Sequence, residues 1–302
     1  MNKRFFIKPA VFCLVLLTAI CVFSACNSFQ NTEYAIVSEG NLSSEGFIYD
    51  KYENSTVRIT GMENVPLLLT IPDEIDGMPV VELADSAFEG NEMLLYLKLP
   101  SGNVKLGKRV FSDCTSLVTA DLSDSVSSIS LGAFENCNNL ALVEGISSVT
   151  DIADQAFAGC TALSSIKIPE ALATIGVEAF RGCTSLSDIL LPETLTFVGE
   201  SAFWGCNSLS KVTFGGSAVI PKYAFLDCAS LTEIVIGDSV ESIDEEAFRG
   251  CRALYSAKIG KKVSTIHAYA FHACDSLTEI SFAGNVKNIS IAEGNEALGL
   301  SN

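Results

Sequence analysis

Basic residues are the first shortage in this chain. Nineteen Lys and Arg stand against 36 Asp and Glu, for a formal charge of −17 over 302 residues. The few cations gather into no stripe, which excludes a nucleic-acid partner, because phosphates need clustered Lys and Arg. The same shortage excludes adsorption of the protein surface to an anionic bilayer. Histidine is scarcer still, limited to His267 and His272, which read as two solvent-facing side chains rather than a metal or acid–base pair. No Ser–His–Asp arrangement, phosphate-binding Gly loop or paired-carboxylate motif recurs, so neither an enzyme nor a cofactor is expected. Trp204 is alone of its kind and reads as an isolated surface aromatic.

Long apolar runs are missing too. Ala10 to Val22 is short for a bilayer span. Lys3, Arg4 and Lys8 before it, and Ser24-Ala25-Cys26 after it, mark residues 1–25 as a targeting segment. The segment resembles a bacterial lipoprotein signal, in which cleavage precedes the Cys and its thiol receives a diacylglycerol, although Phe23 stands where an aliphatic residue is usual. Cys26 is therefore the expected lipidation site, and two acyl chains give stable anchoring. The membrane enters only through that anchor. Cleavage removes three positive charges and no acidic residue, leaving −20 on the mature chain. Residues 26–46, rich in Ser, Asn, Glu and Gly, read as a flexible tether. Residues 47–66 alternate as two half-buried strands around the Glu53-Asn54-Ser55 turn, a hairpin that would cap the N-terminal end of the folded body.

Self-similarity is what the sequence has in abundance. Phe88, Phe111, Phe134, Phe157, Phe180, Phe203, Phe225, Phe248 and Phe271 recur every 23 residues, except that the step to Phe225 is one shorter. Six residues after each Phe stands a Leu, from Leu94 to Leu277. This period means stacked coils, not a globular core. Within a coil, a run such as Leu186, Ile189 and Leu191 reads as a short strand with alternate residues inward, and Pro192 ends it. An aliphatic residue lies five before each Phe, and Ala or Val110 immediately precedes it. Gly182 and its equivalents, two after the Phe, suit the left-handed end of a short helical turn. Asp113, Asn136 and Asp227 tolerate that conformation next best. One coil buries too few side chains to offset the ordering of its own backbone, so its stability must be shared with its neighbours.

Units such as A-F-R-G-C-T-S-L-S-D-I-L-L-P-E-T-L and A-F-A-G-C-T-A-L-S-S-I-K-I-P-E-A-L resemble the BspA-like class of leucine-rich repeats. The resemblance covers residues 67–291. It implies a repeat solenoid, α/β to mainly β: a curved leucine-rich-repeat stack of about ten coils, with short helical turns and a short strand on the concave side. It also implies a bacterial cell-surface or secreted protein, since several members act as adhesins for host matrix proteins or other cells. The chain departs from the pattern at Asn91, which replaces the repeat Cys, and at the shortened coil before Phe225. Residues 292–302 form a tail in which Glu296-Ala297-Leu298 lacks its Phe, as in a degenerate cap. Leu191-Pro192-Glu193-Thr194 resembles a sortase signal, but Leu195 stands where Gly is needed, so it reads as an ordinary strand end.

Of eleven Cys, eight lie in the repeats, each three residues after its Phe: Cys114, Cys137, Cys160, Cys183, Cys206, Cys228, Cys251 and Cys274. An even count in an exported chain would ordinarily suggest disulfides. One thiol per coil in one column instead reads as a row of small, buried, free side chains. A linear row cannot supply tetrahedral zinc ligands.

Outward strand positions vary most between coils. One column holds Tyr96, Thr119, Leu142, Ser165, Asp188, Lys211, Glu233, Ser256 and Glu279. The other holds Lys98, Asp121, Glu144, Lys167, Leu190, Thr213, Val235, Lys258 and Ser281. Solenoids bind partners on such extended faces. The expectation is a surface protein that binds a macromolecule there: a host matrix or other cell-surface protein first, a glycan second. The rival is a structural envelope protein without a specific ligand. Apolar or aromatic residues on adjacent outward positions would favour the binder, and a uniformly polar face the structural role.

Overall fold

The computed structural model describes residues 34–285, 290–291 and 293–294. Cys26, the signal segment and the Glu296-Ala297-Leu298 tail therefore lie outside the described residues. Each regular coil contributes strands on two sides. The first follows the repeat Leu, as in Lys211–Phe214, whose Val212 and Phe214 are buried while Lys211 and Thr213 are exposed. The second is two residues long, as in Thr174–Ile175, and its inward member is the aliphatic residue five before the Phe. Strands of successive coils pair in parallel and in register, for example Tyr96 with Thr119 and Thr119 with Leu142. The alternation expected of the first strand is present, whereas the second strand was not legible in a two-residue signal.

The first strands form two face sheets. The N-terminal one joins Leu68–Thr70, Tyr96–Lys98, Thr119–Asp121 and Leu142–Glu144. The C-terminal one joins Asp188–Leu190, Lys211–Phe214, Glu233–Ile236, Ser256–Ile259 and Glu279–Phe282. Between them one coil lacks its first strand, although its second, Thr174–Ile175, is present. There the Ile168 N–H donates to the Ile166 carbonyl at 3.1 Å, a local bond that takes it out of the ladder. Lys167 and Ser165 thus sit in a break, not in a continuous face.

The corners around each Phe are hydrogen-bonded turns, and no helix occurs among the described residues. The reason lies in an alternation of N–H directions. The N–H groups of Ser86, Phe88 and Gly90 donate to Lys108, Val110 and Ser112 of the next coil, while those of Ala87 and Glu89 bond back within their own turn. A helix would turn every N–H back on its own coil. This geometry needs left-handed backbone both two after and two before the Phe. The first site is the expected one, with φ of 72° at Gly182. The second was not anticipated, because it carries ordinary residues: Arg109, Gln155, Glu178, Tyr223 and Glu246 have φ between 54° and 60°.

Inside, the nine Phe rings stack face to face with centroids 5.1–5.6 Å apart. The eight thiols are free and buried. Each donates to the Phe carbonyl of the preceding coil, as Cys160 Sγ does to Phe134 at 3.1 Å. Burial selects a small side chain here, and that carbonyl selects one with a donor. In the first coil Asn91 takes the place of the Cys, and its Oδ1 accepts from the N–H groups of Met93 and Leu94. The shortened coil loses its residue in the turn after the strand. Buried Ser217 stands where Leu195 and Val240 lie in adjacent coils, and Phe214 replaces the smaller Leu191. Phe214 packs edge-on against Phe225 at 6.2 Å and restores the lost volume.

Three antiparallel strands precede the repeats: β1 (Ile36–Leu42), β2 (Phe47–Tyr52) and β3 (Val57–Met62). β3 then pairs in parallel with the strand Met78–Leu83, and Val57 and Ile59 are fully buried at the end of the core. The presence of β1 corrects the reading of residues 26–46 as a tether. Its second half is a bulged edge strand, fixed to β2 by the Asn41 side-chain amide on the Tyr49 carbonyl and by Asp50 Oδ1 accepting from the Gly40 N–H. An edge strand exposed on both faces keeps a polar composition, so the sequence shows no alternation there.

Candidate functional site

The outward columns separate into two unlike regions. In the N-terminal face sheet Leu68 is 66% exposed and Leu142 42%, with half-buried Tyr96 and Thr119 between them in register. Beside this row runs a second, one position earlier in each coil: exposed Leu67, Leu95 and Val118, then half-buried Ala141. Their backbones are tied coil to coil, Leu95 N–H to Leu67, Val118 to Leu95 and Ala141 to Val118. Exposed Met93 adjoins them in sequence. With strands ~4.8 Å apart, the rows extend about 14 Å across four coils.

That second row was not singled out in the sequence, and it is the more telling one. In later coils it holds Ser164, Ser187, Ser210, Thr232, Tyr255 and Thr278. There Ser187 donates its hydroxyl to the Ser164 carbonyl, Ser210 to Ser187 and Thr232 to Ser210, at 2.9–3.3 Å, while the Tyr255 hydroxyl goes to Glu233. Leu95 and Val118 give up that bond and place apolar surface in water. Replacement of Ser and Thr by Leu and Val in the early coils was the signal that could have found them.

Beyond the strand ends lies an open groove of about 590 Å³. Lys98, Ser101, Asp73, Asp121, Asp124 and Gly145 line it. Gly145 has φ of 68° and stands where other coils carry an inward Leu, Ile or Phe. A side chain there would begin 2.3 Å from the Ser123 backbone nitrogen. Asp73 Oδ1 accepts from the Ser101 N–H and hydroxyl, and Asp124 Oδ1 does the same with Ser147. These bonds, the hydroxyl first, hold both carboxyls below the usual carboxylate range. Lys98 is exposed and lies 3.6 Å from Asp121, while Glu144 and Glu92 are exposed on the two flanks.

The C-terminal face sheet is ionic. Lys211 pairs with Glu233 at 3.0 Å, and the Tyr255 hydroxyl donates to the same carboxylate at 2.8 Å. Asp188, Thr213, Lys258 and Glu279 are exposed, and Val235 is half-buried. Leu190, 76% exposed, is an apolar exception at the edge strand, flanked by Asp188 and Thr213. Lys167 is exposed in the coil that lacks a face strand.

Trp204 is not the isolated surface aromatic expected. It is half-buried, and the Arg181 guanidinium lies 4.7 Å from its ring centroid. The coil spacing puts a long side chain over the ring of the next coil. His267 and His272 are exposed, the latter edge-on to Tyr269. The thiols are no reactive centre, because burial pushes Cys114 up to about 11 and Cys274 to about 12, with the six between raised well above the ordinary value. Among the described residues no three His, Cys, Asp or Glu side chains are grouped to hold a metal ion, and no helix is long and apolar enough to cross a membrane.

Stacked parallel coils with an inward Leu, Phe and Cys per turn define a leucine-rich-repeat solenoid. The BspA type leucine rich repeat region matches residues 81–210 and 218–292 in six copies, and the chain belongs to that family. A leucine rich cell surface protein from Faecalibacterium prausnitzii has a similar structure, with a TM-score of 0.50 and 22% identity over 82% of this chain and 97% of that one. A leucine rich repeat protein from T. pallidum shares 26% identity over 79% of this chain and 91% of its own, at a TM-score of 0.49. No curated protein matches the chain.

Proposed function

We propose that this is an exported interaction protein, anchored by a lipid on Cys26, that binds a protein partner on its N-terminal face sheet. The observation that carries the binding role is the pair of apolar rows, Leu67, Leu95 and Val118 beside Leu68, Tyr96 and Leu142. They occupy sites where the later coils keep bonded hydroxyls and charges. Exposed contiguous apolar surface on an otherwise polar scaffold marks a contact surface. The surface address rests on the small residues before Cys26 and on the description of the F. prausnitzii relative as a cell surface protein.

Two measurements test the reading. A photo-crosslinking residue at Thr119, used on living cells, is expected to give a discrete protein adduct that Leu68→Ser with Leu142→Ser removes. The same residue at Thr213 is expected to give none. Equal adducts at both sites, or none at Thr119, would leave the structural envelope role standing. Cys26→Ala is expected to release the protein or leave it as precursor, and unchanged membrane retention with an unlipidated N-terminus would refute the lipid anchor.

A further inference from the structure

The apolar rows are bounded by acid at both ends. Exposed Glu63 and Glu92 lie before the strands, and Asp73, Asp121, Asp124 and Glu144 lie at or beyond their far ends. Asp73 and Asp124 each commit Oδ1 to a neighbouring Ser, which favours the ionised carboxylate, and both residues line the groove. The cation set among these carboxylates, Lys98, is spent on Asp121. Resting on the reading of this sheet as a protein-binding surface, we propose the chemistry of its partner: a protein segment whose aliphatic or aromatic side chains are flanked within a few residues by Lys or Arg. The rows receive the apolar side chains, and the flanking carboxylates and the groove receive the cations.

Charge complementarity decides between occupants. A second copy of the mature chain would bring −20 against −20 and carboxylates against carboxylates. Anionic glycans and anionic bilayers are repelled in the same way. A neutral glycan stacks on flat exposed aromatics, and among the described residues of these rows the aromatic is Tyr96, half-buried. A basic, apolar segment gains from both features. It also separates the two face sheets, since Lys211 and Glu233 neutralise each other on the C-terminal one.

The test uses the purified full chain as bait for a random dodecapeptide library displayed on phage. Enriched peptides are expected to carry Lys or Arg within about four residues of Leu, Ile, Phe or Trp. Their recovery is expected to fall at least tenfold on Leu68→Ser with Leu142→Ser, and about fivefold on Glu92→Lys with Glu144→Lys. Both glutamates are exposed, so the second pair keeps the test meaningful if the first disturbs folding. No enrichment, or enriched peptides without excess Lys and Arg, overturns the proposal. If uncharged peptides are enriched and remain sensitive to the Leu variants, the cation requirement fails while the binding face stands. If recovery ignores both pairs, the face reading fails with it.

Discussion

The two face sheets rest on one kind of core and differ most where the core does not reach. Behind both run the same Phe stack, the same thiol column and the same inter-coil ladder. In front, the N-terminal sheet shows Leu and Val where the C-terminal coils show Ser, Thr and an ion pair. Nothing in the core requires that difference, because Leu95 and Ser187 occupy the same place in coils of the same backbone. A repeat protein thus supplies its own control: one coil states what folding needs at a site, and another departs from it.

The broadest challenge to a shared core is alkali. Folded thiols titrate above their unfolded values, so stability is complete below about pH 8.5, where both states keep the proton. Above that, the unfolded chain releases protons that the folded one retains, and each thiol costs about 1.4 kcal/mol per pH unit until its own folded value, about 11 for Cys114. Cys183 to Cys274 place five thiols in the C-terminal coils against three in the N-terminal ones. Urea midpoints are expected to fall steeply between pH 9 and 10, a range set by those values. Pulse alkylation is expected to label the C-terminal coils first, and a flat profile would mean the thiols are not buried.

Next in size is the Phe stack. Phe180→Ala removes a ring held between Phe157 and Phe203 at 5.4 Å on each side, and is expected to cost ~3–5 kcal/mol. Loss of hydrogen-exchange protection should centre on residues 157–203. Phe271→Ala should instead fray the coils beyond about 248 and spare the N-terminal face. Uniform loss over the whole chain in both variants would show one globular unit.

A smaller change sharpens the contrast most. Leu95→Thr with Val118→Thr installs the hydroxyl row of the later coils. It is expected to leave stability unchanged or raise it by up to about 1 kcal/mol per bond, while the crosslink at Thr119 is lost. A large destabilisation would mean that these side chains serve the fold. Smallest is the ion pair: a double-mutant cycle on Lys211 and Glu233 is expected to give about 0.2–1 kcal/mol, vanishing in roughly 1 M salt.

The coil period, the inward positions and the burial of the Cys column were legible because each is written nine or eight times over. The second strand was not, since two residues carry no alternation. Nor was the left-handed site before each Phe: Glu178 and Tyr223 look ordinary, and only the inter-coil bonds force their φ. The face columns lie on strands except at Ser165 and Lys167, where the ladder breaks, and reading them one coil at a time hid the adjacent row of Leu95 and Val118. Trp204 was misjudged for a related reason, because its partner Arg181 lies in the previous coil.

The thiol-to-carbonyl and N–H-to-carbonyl bonds of each Phe join a coil only to the next one, and the next offers the same groups in turn. Such a chain can lengthen or shorten by whole turns without any new surface having to be invented at the joint. The 22-residue turn ending at Phe225 shows that even a missing residue is absorbed within a single turn, by Ser217 and Phe214, before the pattern resumes. Duplication of one stretch of gene would therefore space the apolar face from the opposite end of the stack in fixed steps, which makes reach an inheritable quantity independent of what is bound.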